Sequence, residues 1–256
     1  MRPRILAVAN QKGGVGKTTT TISLAATLAA YERPTLIVDI DPQSNSTSGL
    51  GVTVGGEQAT TYQLLTGEAT ATAAVVPTEF PHLAMIPATP DLAGAEIELV
   101  GMVGREFRLR DALQPLEGFR FVLVDCPPSL GLLTLNALAA ADALLIPIQC
   151  EYFALEGVSE LMRTVDEVRR FLNPGLAIDG VLLTMYDERT NLARQVAQEV
   201  RSVFGDLVFE TVVPRNVRLA EAPSFGRPIQ AYDLRSRGAE AYLLLGREYL
   251  ERMEVA

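Results

Sequence analysis

The chain has 256 residues, 48% of them hydrophobic and 21% charged, the balance of a soluble globular protein able to bury a substantial core. A net charge of −9 argues against a protein that coats nucleic acid over its whole surface, though it leaves room for a local basic patch. Two cysteines, Cys126 and Cys150, and one histidine, His82, are too few for a disulfide framework, a zinc cluster or a Ser-His-Asp triad.

Met1 to Arg4 lead straight into an apolar strand, Ile5 to Ala9, so no signal peptide is expected, and no apolar run approaches membrane-spanning length. The strand runs into Lys12-Gly13-Gly14-Val15-Gly16-Lys17-Thr18, and Thr18–Ala30 continues as an amphipathic helix. Strand, glycine-rich loop and helix in that order are what a phosphate-binding loop requires. Gly13, Gly14 and Gly16 free the backbone to turn consecutive N–H groups inward, that of Val15 among them. The first helical turn, through Thr19, adds unpaired N–H groups at the positive end of its dipole. In this reading Lys17 reaches the β and γ phosphates of a nucleotide, and the Thr18 hydroxyl is a ligand for Mg2+.

The loop departs from the usual G-x-x-x-x-G-K-[ST] pattern. Gln11 stands where the first glycine belongs, and a second lysine, Lys12, follows it. Of the 22 basic residues 20 are Arg, and Lys12 and Lys17 are the only lysines. A compact ammonium fits among phosphate oxygens as a point charge, where a planar guanidinium fork is too large.

Further on, Thr35–Asp39, Phe121–Asp125, Ala143–Pro147 and Ile178–Thr184 are short apolar runs that read as strands buried on both faces. Leu132–Ala140, Leu155–Phe171, Thr190–Phe204 and Ala239–Met253 read as helices. The alternation predicts an α/β fold: a single domain with a mostly parallel twisted sheet, helices on both faces and right-handed crossovers. Gly51–Phe80, rich in Thr, Ala and Gly, reads as a surface excursion with one short helix near Tyr62–Leu65. His82 reads as a loop or strand-edge residue, and Cys126 as a small core residue.

Ligands collect at the carboxyl ends of strands in an open parallel sheet. Strand two ends in Asp39-Ile40-Asp41, and alternation predicts both carboxylates on one side, facing the loop's crevice. There they orient water or contribute to a metal's shell; a plain cap or loop role is the alternative. The run ending in Asp125 has the form of a Walker B segment, whose aspartate holds Mg2+ through water. Pro127-Pro128 bars immediate helix formation and Gly131 allows a sharp redirection, the ingredients of a switch. Arg215, Arg218, Arg227, Arg235 and Arg237 stand against only Glu221 and Asp233, with Arg189 and Arg194 upstream at the start of a helix. Such a patch suits the phosphates of DNA, without base readout; a solvated face is the alternative.

Lys12 to Thr18, Asp39-Ile-Asp-Pro-Gln43, Val124-Asp-Cys-Pro-Pro-Ser129, Leu183-Thr-Met-Tyr-Asp187 and Pro214-Arg-Asn-Val-Arg-Leu-Ala-Glu-Ala-Pro-Ser224 together resemble the ParA/Soj family of chromosome and plasmid partitioning ATPases, a deviant-Walker branch of the P-loop NTPases. The resemblance implies an ATP hydrolase that uses ATP and Mg2+. It implies that Lys12 reaches across a face-to-face homodimer to the nucleotide of the other subunit, and that Asp41 orients the attacking water. An adenine pocket is implied at Met185, Pro214, Arg215 and Asn216. Non-specific binding of double-stranded DNA by the ATP dimer is implied, with Arg189 and Arg218 the best-matching residues. Stimulation by a ParB-like centromere-binding partner follows, in a cytoplasmic, nucleoid-associated protein without a membrane role. Because the chain begins at strand one, no N-terminal helix-turn-helix domain is expected.

A MinD-like, membrane-cycling cell-division ATPase is the alternative within the superfamily. It needs a basic amphipathic helix at the C-terminus, whereas Ala239–Ala256 carries Glu240, Glu248, Glu251 and Glu254 against Arg247 and Arg252. An iron–sulfur electron donor would need cysteines meeting at a dimer face, and Cys126 and Cys150 both adjoin apolar strands.

Overall fold

Strands without a polar face are stable only when both faces are covered, and the chain supplies those covers between them. The structure, a computed structural model, describes residues 2–152 and 154–255. β1 (Arg4–Val8) leads into α1 (Lys17–Ala30), and β2 (Thr35–Asp39) into a short α2 (Asn45–Gly49). Next come α3 (Thr61–Thr66), α4 (Ala71–Ala74), β3 (Val76–Pro77) and β4 (Leu83–Ile86). α5 (Leu92–Glu98) and α6 (Arg108–Leu113) connect to β5 (Phe121–Asp125), followed by α7 (Leu132–Ala140), β6 (Ala143–Gln149), α8 (Ala154–Phe171) and β7 (Ala177–Tyr186). The order closes with α9 (Asn191–Phe204), β8 (Val208–Pro214), α10 (Val217–Glu221), α11 (Ile229–Tyr232) and α12 (Arg237–Val255).

These strands form one 8-stranded sheet in the order β3-β4-β2-β5-β1-β6-β7-β8. Every pairing is parallel except β3 with β4. Successive side chains alternate between faces. Ile5 and Ala7 of β1 therefore join one apolar layer, with Leu138 of α7, Val165 of α8 and Val200 of α9. Leu6 and Val8 join the other, with Leu24 and Leu28 of α1 and Tyr242 and Leu245 of α12. This is the single-domain α/β fold with helices on both faces that the alternating pattern predicts.

The register brings the carboxyl ends of three strands level, since Asp125 of β5 lies opposite both Val8 of β1 and Asp39 of β2. The glycine-rich loop leaves β1 at that same end. α12 packs inward: Tyr242, Leu245 and Tyr249 are at most 1% exposed. It also lies close against α1, where a Cβ on Gly246 would stand 2.3 Å from Thr27 Cγ2. Among the described residues no helix is long and apolar enough to cross a membrane.

Three local readings change. Residues 51–80 hold α3, α4 and β3 rather than one helix, with Thr60 and Gln63 forming a capping box at the start of α3. β4 and β8 are strands that the apolar pattern alone does not mark. Gly131 has an ordinary φ of −76° as the cap of α7, so it makes no left-handed turn. What it provides is room, because its Cβ would stand 2.6 Å from Glu96 Oε1. His82 sits as expected in a turn, immediately before β4.

Candidate functional site

The turn from β1 into α1 is tied to the neighbouring strands β6 and β7. Asn10 Nδ2 donates to Pro147 O (2.7 Å), while Asn10 Oδ1 accepts the Lys12 N–H (3.0 Å). Thr184 Oγ1 of β7 donates to Val15 O (2.8 Å). Gly14 and Gly16 adopt φ of 74° and 89°, open to glycine at little cost, and nothing lies within 4 Å of where a Gly14 Cβ would stand. The loop thus borders open space with its N–H groups at the head of α1. On its other side it abuts the double-proline turn, where a Gly13 Cβ would meet Pro128 at 3.9 Å.

The two lysines are placed differently. Lys17 is 6% exposed, and its Nζ donates to Lys12 O across the loop (3.1 Å). Burial pushes the Lys17 ammonium below its ordinary pKa, against the pull of Asp125, Cys126 and Asp41. Lys12 stands at the rim, its side chain 34% exposed, with Nζ 3.8 Å from Glu151 Oε2. One cation is sunk in the loop and the other is available to something outside it.

Below the loop lies a set of buried carboxylates. Asp125 accepts from Thr21 Oγ1 (3.1 Å) and from Ser46 Oγ. Burial raises its pKa in spite of these bonds, and burial beside Asp125 raises that of Asp39. Asp39 lies on the Asp125 side of the sheet with Ile40 in the opposite layer, as alternation predicts, but its carboxylate is fully buried. Its two oxygens are taken by the N–H of Asp41 (3.1 Å) and by the N–H and Oγ1 of Thr47 (2.9 and 2.7 Å). Asp41 lies beyond the end of β2, 5% exposed, with Oδ1 accepting the Gln43 N–H (2.9 Å). Among the described residues no group of three His, Cys, Asp or Glu side chains could hold a metal directly. The donors present, the Thr18 hydroxyl in the first turn of α1 with the Asp125 and Asp41 carboxylates nearby, fit a hard cation that keeps most of its waters.

Beside the loop, a cavity of about 320 Å³ is lined by Gly16 and Thr19 together with Met185, Pro214, Arg215 and Asn216. The structure therefore brings the sequence-predicted base-binding residues to the phosphate-binding loop. Met185 has φ of 50°, an uncommon conformation for a non-glycine residue and a mark of a constrained position. Asn216 Oδ1 is engaged in capping α10 by accepting the Arg218 N–H (2.8 Å). Sequence reasoning missed Thr184 and Tyr242, which also line the cavity. Tyr242 reads from its spacing as core, and it is core; its hydroxyl also shares a hydrogen bond with Thr20 of α1 (3.0 Å).

Comparison with known proteins bears on this arrangement. An AAA domain family model matches residues 3–178. The chromosome partitioning protein ParA of Myxococcus xanthus (strain DK1622) is 58% identical over 250 residues, spanning 97% of this chain and 88% of that one. The sporulation initiation inhibitor protein Soj of Bacillus subtilis (strain 168) is 54% identical over 246 residues, 96% of this chain and 97% of that one. The chain belongs to the ParA/Soj family of partitioning ATPases. Among solved structures, cobyrinic acid a,c-diamide synthase from Mycobacterium smegmatis, with bound ADP and magnesium, superimposes with a TM-score of 0.85 at 39% identity, over 98% of this chain and 96% of that one.

The arginines of this ParA/Soj chain do not form one patch. Arg189, Arg215 and Arg237 line a groove of about 720 Å³, in company with Asp187, Glu188, Glu210 and Glu240. Arg189 forks onto Asp187 (2.8 and 2.7 Å), and that hydrogen bonding holds the Asp187 carboxyl down at about 2. Arg194 donates to Glu188 O (2.7 Å) and Arg215 reaches Glu151 (3.4 Å). Arg218 lies between Glu221 (2.8 Å) and Asp233 (3.4 Å). Arg227 lines a separate small cavity with Leu50 and Phe80, and Arg235 is exposed before α12.

Proposed function

We propose that this chain is one DNA-partitioning ATPase domain whose nucleotide cycle controls self-association. ATP with Mg2+ joins two copies face to face, and the pair holds double-stranded DNA through arginine–phosphate contacts without sequence preference. Hydrolysis, stimulated by a ParB-like centromere-binding partner, releases the DNA in the cytoplasm at the nucleoid, serving chromosome or plasmid segregation. The names of the relatives support the partitioning role, and the nucleotide and magnesium in the synthase structure support the ligands.

Each residue has a part in this reading. Lys17, Thr19 and the loop N–H groups hold the phosphates, and the cavity at Met185 takes the base. Bound Mg2+ supplies neutralisation of phosphate charge. Thr18 offers it a hydroxyl, and Asp125 and Asp41 hold its waters. Asp41 accepts a hydrogen bond from the attacking water and aims its oxygen at the γ-phosphorus. The new P–O bond forms as the bond to the β–γ bridging oxygen breaks, and the water's proton leaves with the products ADP and phosphate. Phosphoryl transfer leaves a protein little covalent work, so a cation set on the developing charge is the main lever. Lys12 supplies that cation to the other copy.

The observation that carries the reading is the contrast between the lysines: Lys17 fills the position inside its own loop, which leaves rim-standing Lys12 for a neighbour. Lys12→Gln should still bind ATP yet lose ATP-dependent pairing, and turnover should fall by about 10³-fold, as for arginine fingers supplied in trans. Asp41→Ala should accumulate as an ATP-bound pair with little turnover. Light scattering with ADP and with ATP, beside a phosphate-release assay, tests both; a Lys12→Gln protein that pairs and hydrolyses like its parent removes the proposal.

A further inference from the structure

Among the described residues no side-chain hydroxyl or cation is hydrogen-bonded to the Asp41 carboxylate; its place is inherited from the segment that carries it. That segment leaves the sheet at Asp39 and re-enters regular structure at Asn45. Within it Asp41 N–H donates to Asp39 Oδ1 (3.1 Å), Gln43 N–H to Asp41 Oδ1 (2.9 Å) and Ser44 N–H to Asp41 O (2.8 Å), with Ser44 in the left-handed region at φ 49°. At its start Ile40 N–H donates to Asp125 O (3.1 Å) and Thr61 Oγ1 to Asp39 O (2.6 Å), and just after its end two consecutive hydroxyls fix it to strand-end carboxylates.

We propose that Ser46 and Thr47, side by side at the start of α2, are positioning residues that set Asp41 against the phosphate-binding loop by anchoring to two different strand-end carboxylates. Thr47 reaches Asp39 through its N–H and its Oγ1, while Asp39 also receives the Asp41 N–H, so one carboxylate closes both ends of the segment. The Thr47 Oγ1 in turn accepts the Ala88 N–H (2.9 Å), tying the clasp to the chain beyond β4. Ser46 donates instead to Asp125, the same carboxylate that Thr21 of α1 reaches. Asp125 is thus a common anchor for the helix behind Lys17 and the helix behind Asp41. All four groups are buried: Ser46, Asp39 and Asp125 at 0% and Thr47 at 4% exposure. Hydrogen bonds to buried carboxylates are among the strong ones, and their geometry is hard to exchange for water.

This inference rests on reading Asp41 as the residue that orients water. Displacing a catalytic group by about 1 Å costs rate on the order of 10²-fold while leaving distant binding contacts intact. Thr47→Val and Ser46→Ala should therefore lower kcat for ATP by about 10- to 100-fold with KM within about threefold of the parent. Thr47→Ser should recover most of the loss because it restores the hydroxyl. In nucleotide-free protein, amide hydrogen exchange across 41–47 should quicken in both variants, and binding of a fluorescent ATP analogue should be nearly unchanged. Ser46→Ala removes a single oxygen, so it carries the test if Thr47→Val does not fold. Parental kcat and parental exchange in Ser46→Ala and Thr47→Val, beside an inactive Asp41→Ala, would overturn the anchoring alone. An Asp41→Ala protein hydrolysing ATP at the parental rate would instead defeat the reading beneath it.

Discussion

A carboxylate without water must be satisfied by its neighbours, and Asp125 is hydrogen-bonded by hydroxyls, with the Lys17 ammonium acting on it through charge alone. Those hydroxyls hold its oxygens in place beside the phosphate-binding loop. The thiols beside this centre are a different case. Cys126 and Cys150 both belong to the apolar layer on one sheet face, and burial pushes both above the ordinary thiol range, Cys150 to about 12. Only the thiolate is the reactive form. Iodoacetamide at pH 8 should therefore label neither cysteine in the folded protein, and both in urea; rapid labelling of native protein would mean that this layer opens. The same burial fits poorly with cysteines meeting at a dimer face. At this scale the sequence is most legible where one short stretch carries the chemistry, as from Lys12 to Thr18. Ser46 was invisible because its partner is 79 residues away, and a lone Ser in a polar turn carries no mark of it.

Among the elements, the contact of α12 with α1 couples the end of the chain to the helix behind the phosphate-binding loop. Alanine in place of Gly246 would gain about 1 kcal/mol of helix propensity. Against that, the new methyl meets Thr27 Cγ2, and Thr27 cannot easily turn away. Its Oγ1 is fixed by Ser23 O (2.9 Å), Tyr242 O (3.2 Å) and Gln230 Nε2 (2.7 Å). Overpacking of this kind costs about 1–3 kcal/mol, so Gly246→Ala should be the less stable protein in urea unfolding. An unchanged or higher midpoint would show that Thr27 gives way. Five strands were legible because a strand buried on both faces must be largely apolar, as β2 is over Leu36–Val38 and β5 over Phe121–Val124. β8 is an edge strand in which Glu210 and Thr211 interrupt the pattern. β4 is four residues, Leu83–Ile86, without a β-branched residue until the last, so its pairing with β2 rather than its composition makes it a strand.

Over the whole molecule, alkaline pH should be destabilising for an identifiable reason. Burial raises the phenols of Tyr242 and Tyr249 above their ordinary value, as it does the two thiols. The unfolded chain releases these protons from about pH 8.5 for the thiols and about pH 10 for the phenols, while the folded chain keeps them. The folded state then binds more protons than the unfolded one, so stability is full below those values and falls as pH rises through them. Thermal melts from pH 8 to 11 should decline, less steeply in Tyr249→Phe; parallel curves would assign the decline to other groups. Charge also frames the proposed DNA contact. A chain of net charge −9 can hold DNA only through a local surface, and a pair doubles whatever arginines one copy offers. With ATP present, Arg218→Ala should weaken DNA association and flatten its salt dependence, and equal binding across salt would remove Arg218 from that surface. The lysine economy has a practical side as well. With Lys17 sunk in its loop, Lys12 is the one side-chain amine left within easy reach of solvent. Among side chains, an acylating label would therefore report on a single position, bright while the rim is open and dim once a second copy covers it.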